Sequence, residues 1–77
     1  MPETIINFLW DAGATVWVAT SDAIPGLVLE SGSLDALMER VRFAVPELLE
    51  LNGASQEALS VCFRSERHEK VNVHGGI

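Results

Sequence analysis

Three aspartates, two histidines and one cysteine are the residues of this 77-residue chain whose types and spacing invite a chemical reading. Asp11, Asp22 and Asp35 would have to converge on one point to hold the divalent ions of a phosphodiester hydrolase, because such a mechanism clamps its metals between several carboxylates. Their surroundings assign them structural work instead. Asp11 opens the turn Asp11-Ala12-Gly13-Ala14, Asp22 precedes the bend Ile24-Pro25-Gly26, and Asp35 stands where a helix begins and its charge suits the dipole. His68 and His74 lie in a polar tail with Glu66 and Glu69 nearby, and no third ligand of fixed geometry joins them. Cys62 alternates with the apolar positions of a strand and has only Arg64 to share its face, which marks a strand residue rather than an activated thiolate. One cysteine also excludes an intramolecular disulfide framework and a multi-cysteine zinc site. The expectation is therefore a chain without catalytic residues, metal or cofactor, and not an enzyme.

A hydrophobic content of 48% with 21% charged residues is too apolar for disorder and fits one small globular domain. That domain spans residues 1–77, with its core over 4–64 and a tail over 65–77. A chain of this size buries only about 60% of the surface its unfolded form exposes, so its own core leaves little spare stability. Met1-Pro2-Glu3-Thr4 lacks the basic and apolar segments of an export signal, and no apolar run approaches the roughly 20 residues of a membrane span. A reducing cytoplasm is the expected compartment, with no membrane contact. The net charge of −6 repels phosphate backbones, which argues against direct nucleic-acid binding. It would attract a basic protein, although mild acidity is also the ordinary state of soluble proteins.

The elements that must carry these residues follow from pattern. Thr4 to Trp10 and Thr15 to Thr20 are rich in β-branched and aromatic residues on either side of a short turn, and predict a β-hairpin. Pro25 and Gly26 force a bend before a third strand at Leu27-Val28-Leu29-Glu30. Ser33 is an N-cap for a long amphipathic helix on Leu34, Leu37, Met38, Val41, Val45 and Leu48, stopped at Asn52-Gly53. Pro46 falls inside it and predicts either a kink or a break that starts a second short helix. After a linker over 53–56, Leu59, Val61 and Phe63 alternate with Ser60, Cys62 and Arg64 as a fourth strand, and His74-Gly75-Gly76-Ile77 ends the chain without any core-forming pattern. The fold class is α+β, in the order β-β-β-α-β, with one helix across one face of a small, mainly antiparallel sheet.

A single helix leaves the other sheet face to be accounted for. Ile6, Phe8 and Trp10 alternate with Ile5, Asn7 and Leu9, and Val16 and Val18 alternate with Thr15, Trp17 and Ala19, so both faces of the hairpin are substantially apolar. The uncovered face is expected to meet another subunit or a partner, making the chain a dimer or larger. Trp10 and Trp17 are candidate interface anchors, a role in which tryptophan is enriched, and core packing suits each equally well. Ile24, Pro25 and Leu27 are further candidates, although their first role is conformational.

The run Val16-Trp17-Val18-Ala19-Thr20-Ser21-Asp22-Ala23-Ile24-Pro25-Gly26-Leu27, followed by Ser33-Leu34-Asp35-Ala36-Leu37, resembles the N-terminal domain of HicB antitoxins. In those domains an aromatic strand enters an Asp-x-Pro-Gly type turn, then a third strand and a polar-capped helix. The run Val45-Pro46-Glu47-Leu48-Leu49-Glu50-Leu51-Asn52-Gly53 more specifically resembles a short bacterial HicB-related family of domains of unknown function. Together the likeness covers most of residues 4–64. It implies a partial ribonuclease-H-like fold, a cytoplasmic location, self-association and, for antitoxins proper, the masking of a small basic RNA-cleaving toxin of the HicA type. Typical HicB antitoxins continue into a DNA-binding domain, for which this sequence has no room. The alternative function is an orphan oligomerising module, structural or regulatory, without a toxin partner.

Overall fold

Alternation of large apolar side chains with smaller or polar ones makes β1 (Thr4–Asp11) and β2 (Val16–Thr20) a hairpin in the computed structural model, which describes residues 3–53 and 59–74. Its turn is closed by the Asp11 carboxylate, which accepts from the backbone N–H of Gly13 at 3.0 Å and of Ala14 at 3.2 Å. Register pairs Leu9 with Val18 and Trp10 with Trp17. After β2, Ser21 donates its hydroxyl to the Ile5 carbonyl at 2.6 Å and accepts from the Ala23 N–H. Gly26 then takes φ 87°, a conformation that disfavours any side chain, and the chain turns back into β3 (Val28–Ser31), antiparallel to β2.

Helix α1 runs from Leu34 to Leu51. The Ser33 hydroxyl accepts from the Ala36 N–H at 3.2 Å, as the cap pattern predicts. At the far end the Asn52 and Gly53 amides satisfy the carbonyls of Leu48 and Glu50, with Gly53 at φ 77°. The helix is not broken at Pro46, so no second helix starts there. Pro46 cannot donate to the Arg42 carbonyl, but both residues are exposed and solvent can serve that oxygen, while the buried Val41 and Val45 hold the preceding turn on the sheet.

Strand β4 (Val61–Glu66) lies parallel to β1, giving the sheet order β3-β2-β1-β4. Two of the three pairings are antiparallel, in agreement with the expected class. The linker read over 53–56 falls, after Gly53, outside the described residues, as do Gly75, Gly76 and Ile77 of the tail. The core consists of Ile6 and Phe8 from β1, Trp17 and Ala19 from β2, Ile24 and Leu27 from the connection, and Leu37, Val41 and Val45 from α1. Phe8 meets Phe63 of β4 edge to face at 5.1 Å, and Trp10 meets Trp17 in the same way at 5.5 Å.

Candidate interaction surfaces

The register decides which side chains share the face that α1 leaves bare. One row crosses all four strands as Glu30, Val18, Leu9 and Glu66, and the next as Val28, Thr20, Asn7 and Arg64. Ile5 stands beside Cys62 in the following row. The first row is apolar in its middle and acidic at both ends, while the second is polar in its middle, with Val28 at one end and Arg64 at the other. Leu9 is 49% exposed and Val28 69%, while Ile5, Val16 and Val18 are half-buried.

Neither tryptophan is on that face. Cross-strand pairing puts both on the helix side, where Trp17 is buried and Trp10 half-buried, with the Arg67 guanidinium 4.0 Å above the Trp10 ring. Ile24 and Leu27 are enclosed in the core, and Pro25 is exposed with its carbonyl accepting from the Asn52 side chain at 3.4 Å. Of the candidate anchors Trp10, Trp17, Ile24, Pro25 and Leu27, only Trp10 and Pro25 retain surface to offer a partner. The side chains that do offer it, Leu9, Val18 and Val28, have the opposite parity to Phe8 and Ala19. Alternation grouped them correctly; it could not say which group the helix would choose.

A second surface, open among the described residues, lies on the helix side. Because α1 packs chiefly on β2 and β3, no described element covers the β4 margin. Between them runs a groove of about 200 Å³, walled by Val41, Val45 and Pro46 on the helix and by Leu59, Val61 and Phe63 opposite. Arg42 stands at its rim, 5.6 Å over the Phe63 ring and bonded to Glu39 at 3.2 Å. Nothing in the sequence pattern marked this groove, since it depends on where the helix axis crosses the sheet.

The groups with chemical potential are dispersed. Asp11 serves its turn, and Asp35 sits exposed at the helix start. Asp22 borders a shallow polar depression with Glu3, Asn7 and Arg64. His68 contacts only the Glu66 carboxylate among the described ion pairs, and His74 is exposed. Among the described residues no group of three or more His, Cys, Asp or Glu side chains is placed to hold a metal ion, and no helix is long and apolar enough to cross a membrane. The purified protein is expected to leave RNA and RNA–DNA hybrids intact in magnesium or manganese. Cleavage that vanishes in Asp22→Asn would show the opposite.

A family model described as Domain of unknown function (DUF1902) matches residues 3–74. The chain belongs to that family. The DUF1902 domain is also similar in structure to hypothetical protein TTHA1013 from the extremely thermophilic bacterium Thermus thermophilus, known from a crystal structure. The two are 40% identical, with 94% of this chain and 100% of that one covered and a TM-score of 0.70. No curated protein matches this chain.

Proposed function

We propose that this DUF1902 domain is a non-enzymatic protein-binding module whose open sheet face receives a cationic protein surface with an apolar centre. The row Glu30-Val18-Leu9-Glu66 carries this reading: two adjacent aliphatic side chains supply the dry middle of an interface, and a carboxylate stands at either end. The net charge of −6 would steer a basic partner toward the domain, and the same charge opposes packing this face against its own copy. The resemblance to HicB antitoxins supplies the finer form. The partner would be a small basic RNA-cleaving toxin of the HicA type, and the docked domain would cover the toxin's RNA-binding surface.

Co-expression with a small basic protein encoded in the neighbouring reading frame tests this. A salt-sensitive complex is expected, and Leu9→Lys should weaken it about tenfold or more by placing a cation where a cationic partner must dock. Absence of a complex, or one indifferent to Leu9→Lys, would refute the reading. A second reading, an oligomerising module without a toxin, is favoured by the bare groove between α1 and β4, an apolar surface on the side of the sheet that the helix already occupies.

A further inference from the structure

The residues after β4 leave the body of the domain. Arg67 to His74 are all exposed, Val71 at 76% and Val73 at 85%. The protein measures 61 × 25 × 18 Å with a radius of gyration of 15.9 Å. A compact chain of this length would have a radius of about 11 to 12 Å. The segment is therefore an arm, rooted where Arg67 stacks on Trp10.

Three features say what the arm fits. Val71 and Val73 alternate with Lys70, Asn72 and His74, the pattern of a strand with one apolar side, and in its own chain that side is bare. Two of the five Lys and Arg residues and both histidines lie in the arm, whereas all but one of the eleven carboxylates lie outside it, so arm and body are complementary in charge. The groove beside β4 is apolar and, at about 200 Å³, falls below the roughly 300–1,000 Å³ typical of small-molecule sites. Aliphatic side chains of a polypeptide suit it better.

The arm cannot readily fill its own groove. That groove is walled by Leu59, Val61 and Phe63 at the beginning of β4, and the arm departs from the other end after Glu66. No glycine or proline occurs between Phe63 and His74 to reverse the chain. Among the described residues β4 is also an edge strand, with its outer backbone groups available for pairing.

We propose, building on the oligomerising reading, that the arm of one copy lies along the β4 edge of a second copy and seats Val71 and Val73 in its α1–β4 groove. A two-fold axis makes the exchange reciprocal and closes the assembly as a dimer. The edge supplies backbone hydrogen bonds; the groove selects the two valines.

Light scattering and sedimentation of the full chain across the micromolar range test the exchange. The unmodified protein is expected to be dimeric. Val71→Glu with Val73→Glu should weaken the dimer roughly a hundredfold, since two carboxylates replace two apolar anchors. The circular dichroism and melting of the monomer should stay unchanged, because both positions are exposed. A monomeric unmodified protein, or a dimer indifferent to the double substitution, overturns the proposal. Leu9→Lys separates the two surfaces: it should leave this dimer intact while disrupting the basic partner's complex, and the arm variant should do the reverse. A dimer dissociated by Leu9→Lys instead would place self-association on the open sheet face and likewise overturn the exchange.

Discussion

Phe8→Ala is expected to bring the chain to the margin of folding at room temperature. Phe8 is 0% exposed, heads the fully buried side chains by size, and makes the edge-to-face contact with Phe63 that ties β4 to the core. Truncating a buried phenylalanine costs about 3–5 kcal/mol, through lost transfer energy and the cavity left behind. Against this stands a total stability of roughly 4–12 kcal/mol for a chain of this length, at about 0.05–0.15 kcal/mol per residue. The loss therefore takes about a quarter or more of what holds the domain together, and all of it at the lower end. Urea titration followed by far-ultraviolet circular dichroism should show the cooperative transition displaced to very low denaturant or absent. Ile6→Val, a smaller deletion at the neighbouring buried position, should cost only about 0.5–1.5 kcal/mol and keep the transition. Equal effects from the two would mean that Phe8 does not anchor the core.

Pro46→Ala should act in the opposite direction. Alanine restores an N–H that can donate to the Arg42 carbonyl and removes the ring that crowds that turn, a change worth up to about 3 kcal/mol in a helix interior. The unfolded chain gains freedom as proline is removed, which offsets about 0.4–1 kcal/mol, and the existing helix has already accommodated the ring. A net stabilisation of about 1–2 kcal/mol is expected. In a domain of this size each kcal/mol raises the melting temperature by about 4–8 °C. Pro46 also walls the groove between α1 and β4, so the same substitution should weaken dimerisation while strengthening the fold. An unchanged or lower melting temperature would mean that Pro46 packs better than its exposure implies.

Local signals accounted for most of the elements. Ser33 and Asn52-Gly53 bracket the helix as their chemistry predicts, and Asp11 closes its turn through its own carboxylate. Strand limits moved by a residue or two, where ladder pairing rather than propensity sets the end: β4 begins at Val61, although Leu59 already fits the alternation. Pro46 was legible as an anomaly, but its outcome was not, because packing of Val41 and Val45 on the sheet decides whether a helix survives a missing hydrogen bond. The surfaces were the least accessible part. Alternation separates Trp10 from Leu9 with certainty, yet only the three-dimensional choice of the helix makes Trp17 a core residue and Leu9 a surface one. The groove has no one-dimensional signature, since the position of its β4 wall is set by the parallel pairing of β4 with β1.

That pairing also dictates an order of events. Within this domain β1 is completed by β4, which is synthesised some fifty residues later, with the Thr4 amide bonded to the Ser60 carbonyl and Ile6 in register with Phe63. Until β4 emerges, a nascent chain can form its hairpin and helix but must leave one flank of Phe8 wet. Distant pairing of this kind is slow, and the waiting form is prone to stick to its neighbours. Translation that stalls before Ser60 should yield an aggregating species, and release of the remaining residues should complete the sheet.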